Sequence, residues 1–200
     1  FNPHEAIPDA QESRGLGDVY KRQILVCIMD ISKMIGKETE GNELVDSLVK
    51  RLEFVKSKTF EDKPKIVAIE WVDPFFTSGH WIPEMIESAG GENLISTEKM
   101  PSRKMELEEI KEANPDIIIM MPCGFDVKRT VSEYNNVLTN NPAWHELKAV
   151  KEKNVYAVDA NSYFSKPSLR TITGIEILAK IIHPDVFGDL QLPKNSFVKI

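Results

Sequence analysis

From Ile24 to about Lys58, apolar residues recur at Ile24, Cys27, Ile28, Ile31, Met34 and Ile35, then at Leu44, Val45, Leu48, Leu52 and Val55. That spacing is helical. Gly36 and Gly41 weaken its middle, so the pattern fits one bent helix or two abutting ones. Pro64 then punctuates the chain and the period changes. Ile66–Ile69, Asp116–Met121 and Val155–Val158 are short apolar runs, β-branched and not alternating. Such runs suit strands covered on both faces, as in a parallel sheet. Helical patterns lie between and after them, at 83–89, 104–113, 126–138 and 168–182, the last stopped by Pro184. Asn93-Leu94-Ile95 reads as a small extra strand. Alternation of this kind predicts an α/β fold with a mainly parallel, Rossmann-like sheet. Residues 11–23 carry no apolar period and two glycines. By composition they read as a surface loop.

Composition narrows the function. The chain has 200 residues, long enough to bury roughly two-thirds of its unfolded surface. Its 25 basic and 31 acidic residues leave a net charge of −6, which argues against a nucleic-acid binder. No apolar run approaches the roughly 18 residues a membrane span needs. Cys27 and Cys123 make neither a disulfide framework nor a zinc site, and the four histidines lack metal-ligand spacing. Dinucleotide fingerprint, phosphate loop and nucleophile elbow are all absent.

The segments just after the predicted strands are more informative. They are Glu70–Glu84, Pro122–Asp126 and Asp159–Phe164. Open α/β sheets bind ligands beyond the carboxyl ends of their strands. These three ends carry Trp71, Phe75, Phe76, Trp81, Phe125, Tyr163 and Phe164, seven of the chain's sixteen aromatics. Asn161, Ser162, Thr77, Ser78 and His80 accompany them as directional polar groups. An aromatic wall with few polar contacts suits a small-molecule site. Trp144, away from these ends, is expected to pack in the interior.

The same segments resemble the C-terminal lobe of class III periplasmic substrate-binding proteins, most closely the cobalamin-binding subgroup of ABC importers. Ala89-Gly90-Gly91-Glu92-Asn93 and Asn114-Pro115-Asp116 are shared with the wider family. Glu70-Trp71 with Pro74, Gly79-His80-Trp81 with Pro83-Glu84, and Met121-Pro122-Cys123-Gly124-Phe125 are narrower and point to the subgroup. The resemblance implies two α/β lobes joined by one long helix, with ligand held between them. Residues 24–58 would be that connecting helix, 65–187 the C-terminal lobe and 188–200 a tail. Residues 1–10 resemble the crossing from the first lobe, which would itself lie outside this chain. The chain starts at Phe1 rather than Met and is read as a fragment. Asp18–Gln23 resembles the translation of a sequencing-library transposon end, so 11–23 is read as an artefactual insertion without function.

The implied function is to capture a corrinoid, vitamin B12 or cobinamide, and deliver it to an importer permease. The implied site is Trp71, Phe75, Phe76, His80, Trp81, Phe125, Asn161, Tyr163 and Phe164. Aromatics would cover the corrin face while His80 and Asn161 bond its amide rim. No catalytic group, resident metal or cofactor is expected. The implied location is periplasmic or extracellular, with lipoprotein anchoring open. One departure stands out. The family's vitamin B12 binder places a permease-docking glutamate just after the last aromatic, but here Phe164 is followed by Ser165 and Lys166. Two alternatives remain: a siderophore or haem binder, and an α/β enzyme using Cys123 as nucleophile and His80 as base.

Overall fold

The computed structural model describes residues 19–58 and 62–200. The expected remnant at 1–10, and the part of the expected insertion before Val19, lie outside the described residues. Residues 19–23, in that same segment, form the start of helix α1 (Val19–Met34).

The helical stretch ahead of the lobe is two helices rather than one connecting helix. α1 ends at Met34, and α2 runs Glu38–Lys56. The break falls at Gly36, whose φ of 68° lies in the left-handed region that glycine adopts without strain. Beyond the turn the helices pack closely. A Cβ on Gly41 would stand 2.1 Å from Ser32 Oγ, so only glycine allows this approach. α2 then docks on the lobe through buried Leu48 and Val55.

The lobe is a six-stranded sheet with the path β2-β1-β4-β5-β6. β1 (Lys65–Val72), β4 (Ile117–Met120) and β5 (Val155–Val158) are parallel neighbours, as the apolar runs predict. β3 (Glu92–Asn93) pairs with the start of β1, also in parallel. Both edges are antiparallel. β2 (Phe75–Thr77) folds back on β1 as a hairpin, and β6 (Phe197–Lys199) pairs with β5. The expected tail 188–200 therefore belongs to the lobe.

Two cores explain the missing hydrophobic alternation. Ile66, Ala68, Ile117, Ile119 and Val158 face one side, under α2, α3 (Ile82–Ser88) and α8 (Thr171–Ile182). Val67, Ile69, Ile118, Met120 and Val155 face the other, where Ile110 of α4 (Leu107–Ala113) and Ala149 of α6 (Lys148–Lys151) pack. Tyr134 of α5 (Val127–Val137) also packs there. Every residue of β4 is buried, so its two faces read alike in sequence. Two short helices, α7 (Ala160–Tyr163) and α9 (Pro184–Phe187), complete the lobe.

Candidate functional site

The three parallel strands point the same way, so the loops after them meet along one edge of the sheet. Backbone hydrogen bonds tie these loops together. Cys123 N–H donates to Glu70 O at 3.2 Å, and Asn161 N–H donates to Phe125 O at 3.0 Å. Gly124 N–H donates to Ser165 Oγ at 2.8 Å. The indole of Trp81 donates to Phe164 O at 3.1 Å. The loop before α3 is also fixed from outside. His80 N–H donates to Met100 O at 2.7 Å, and Lys99 N–H donates to His80 O at 3.0 Å. This clamp holds His80 at φ 57°, uncommon for a residue with a side chain. It also requires Gly79, where a Cβ would sit 2.4 Å from Ser102 N.

Between these loops lies an open pocket of about 170 Å³. Trp81 and Phe164 give it apolar walls, and His80, Cys123, Glu70 and Ser165 bring polar or sulfur atoms to it. Among the described residues no lysine or arginine lines it. The Glu70 carboxyl is shifted above its ordinary value, chiefly by burial, against the opposing pull of His80 charge and a hydrogen bond with Ser102. Among the described residues no three His, Cys, Asp or Glu side chains form a metal cluster. His80 and Cys123 are the nitrogen and thiol groups present for a metal carried by a ligand.

The aromatics expected to share one cleft separate into three groups. Trp81, His80 and Phe164 line the pocket, although Phe164 is itself buried. Trp71, Phe76 and Phe125 lie beside it. Trp71 is 38% exposed, opposes Phe76 across the hairpin, and meets Phe125 edge to face at 5.4 Å. β1 bulges between Ile69 and Trp71, so alternation is broken there: Ile69 and Val72 both face the second core, and Glu70 and Trp71 stand side by side between them. Phe75 belongs to neither. It stacks on Trp144 at 5.9 Å in the second core, so its expected place in the cleft is corrected. Tyr163 packs half-buried against the first core, and Asn161 is exposed; neither lines the pocket. Trp144 is fully buried and donates to Tyr134 Oη at 3.2 Å, the packing role expected of it.

Sequence reasoning passed over Glu70, Gly79, Met121 and Ser165 as site residues. Glu70 and Gly79 stood inside the narrow motifs and could have been taken from them. Ser165, which stands where the family's vitamin B12 binder has a docking glutamate, instead accepts the Gly124 N–H and ties two site loops.

A parallel sheet ending in a fixed, aromatic-walled pocket defines a small-molecule-binding lobe. The family model described as "Periplasmic binding protein" matches residues 10–162. The chain belongs to that family, one of solute binders rather than enzymes. A curated relative, the high-affinity heme uptake system protein IsdE of Staphylococcus aureus strain Newman, is 26% identical over 139 residues, covering 66% of this chain and 47% of its own length. The chain thus spans about half the length of the curated relatives it matches. Among solved structures, an ABC transporter substrate-binding protein from Listeria monocytogenes EGD-e superposes with a TM-score of 0.71 at 23% identity, over 82% of this chain and 65% of that one. The TroA-like periplasmic binding protein FepB from Veillonella parvula gives 0.70 at 22%, over 85% and 54%. S. aureus IsdE complexed with heme gives 0.69 at 19%, over 81% and 64%. At these identities the structural likenesses establish the fold.

Proposed function

We propose that this chain is the second lobe of the solute-binding component of an ABC importer, acting outside the cytoplasmic membrane, and that its cargo is a metal-bearing tetrapyrrole. The observation that carries this is the pocket at the carboxyl ends of the parallel strands. It has flat apolar walls in Trp81 and Phe164, with His80 and Cys123 as metal donors. A second lobe would close over the ligand, and delivery to a permease would come next. Haem is the first reading, supported by the heme-uptake relatives. A corrinoid is the second, favoured by a lining that, among the described residues, holds no lysine or arginine, which suits an uncharged amide rim. A ferric siderophore is the outcome that would replace both, since such cargoes commonly need cations aimed at anionic oxygens.

The test is a titration of the intact protein with haemin, cyanocobalamin, dicyanocobinamide and a ferric catecholate, monitored by the absorbance of each pigment. Saturable binding of haemin or a corrinoid, weakened about tenfold or more by Trp81→Ala, is the expected result. Saturation by the catecholate alone would overturn the tetrapyrrole reading.

A further inference from the structure

Beside the pocket, three side chains form a ladder. Trp71 meets Phe125 edge to face at 5.4 Å, and the Arg129 guanidinium lies 3.7 Å above the Phe125 ring centroid. The rungs come from β1, the loop after β4, and α5. Phe125 is buried and fixed, whereas Trp71 and Arg129 are exposed. The ladder begins two residues from Cys123 in sequence and shares the β1 end with Glu70, both of which line the pocket.

Arg129 is held by an aromatic ring rather than by a carboxylate. Arg51, Arg103, Lys111 and Lys148 all sit in ion pairs with carboxylates. Among the described residues the Arg129 guanidinium meets none. The nearest carboxylate in sequence, Asp126, accepts the backbone N–H of Arg129 as the cap of α5 at 2.8 Å, and Glu133, one turn further on, forms no pair with it. A guanidinium held over an aromatic ring keeps its in-plane N–H fork free for a planar, two-oxygen acceptor. Ordering it against Phe125 beforehand lowers the entropy cost of gripping such a group.

We propose that Arg129 reads an anionic substituent, carboxylate or phosphate diester, on the edge of the ligand. The uncharged ring system would enter the pocket, and the charged edge would extend beyond it to lie over Trp71 and meet Arg129. The inference rests on the tetrapyrrole reading and adds a specificity determinant to it. It also accounts for a pocket lining without cations among the described residues: the charge is met outside the pocket, where Arg129 stays partly hydrated.

The experiment compares paired ligands that differ in that anion. Haemin carries two carboxylates and its dimethyl ester none; cyanocobalamin carries a phosphate diester and dicyanocobinamide lacks it. Binding of each is measured by absorbance titration to the intact protein and to its Arg129→Gln and Arg129→Lys variants, in one detergent-containing buffer. The expected result is that, within the pair the protein accepts, the anionic member binds about tenfold or more tighter. Arg129→Gln closes that gap while leaving affinity for the uncharged member unchanged, and Arg129→Lys keeps part of it, because a point charge replaces the fork. Equal affinities within the accepted pair, or a gap that survives Arg129→Gln, overturn the assignment while the tetrapyrrole reading stands. Absence of binding by all four compounds removes that reading and the assignment with it.

Discussion

Two carboxylates in this lobe are handled in opposite ways. Glu176, on α8 behind the sheet, has a side chain only 9% exposed. It accepts from Arg51 Nε at 2.9 Å and from a second nitrogen of the same guanidinium, which also donates to Thr173 Oγ1 at 2.8 Å. This two-pronged pair pins α2 to the lobe, and it holds the Arg51 guanidinium above its ordinary pKa, chiefly through the Glu176 hydrogen bond. Glu70, at the front edge, has Ser102 and the charge of His80, and burial still dominates its pKa. The tryptophans divide the same way. Trp144 is sealed and hydrogen-bonded in the second core, while Trp71 is left 38% exposed. In the scaffold, Glu176 and Trp144 are buried with partners. At the strand ends such groups are fixed in position but left open, the state a ligand requires.

The largest expected effect separates the tryptophans. Trp144→Ala removes a fully buried ring with stacking and hydrogen-bond partners, and should cost about 3–5 kcal/mol in denaturant unfolding. Trp71→Ala should leave the unfolding midpoint nearly unchanged but weaken tetrapyrrole binding about fivefold to tenfold, the scale of an exposed aromatic flanking the pocket. Equal stability losses in the two variants would break the division between scaffold and site.

A smaller effect concerns the spine. Arg51→Ala leaves Glu176 without its cation and should destabilise by about 1–2 kcal/mol. That is less than the loss for a fully buried pair, because Arg51 stays 38% exposed. A double-mutant cycle with Glu176→Gln should recover most of the loss as coupling; independent losses would show that the pair contributes little.

The smallest effect is a pH dependence. The Glu70 carboxyl is raised in the folded state, so folding favours its protonated form. Its contribution to stability is therefore greatest below the unfolded carboxyl pKa of about 4.3 and is lost as pH rises through the folded value. Glu70→Gln should flatten the melting-temperature profile above that point. A profile identical to the parent's would place the carboxylate in water and undo its contrast with Glu176.

Much of this lobe was legible because it is local. The runs at 66–69, 116–121 and 155–158 became β1, β4 and β5, and the pattern at 126–138 became α5, capped by Asp126. The edge strand β6 was not legible: Phe197–Lys199 has three residues and no period of its own, and it exists because β5 offers unpaired backbone groups. Phe75 misled for a related reason. Its position after a strand suggested the cleft, but the hairpin with β1 turned its ring into the second core against Trp144.

The sequence by itself determined the strand–helix alternation, the double-sided burial of the sheet and the clustering of aromatics after its strands. These arise from side-chain period and chain order, which act over a few residues. Tertiary structure alone decided which aromatics share a surface, that Glu176 is buried against a cation while Glu70 is half-buried at the strand ends, and that Arg129 stands over Phe125 and, among the described residues, meets no carboxylate. Those outcomes depend on which segments the sheet brings side by side, and that is a property of packing between residues far apart in the chain.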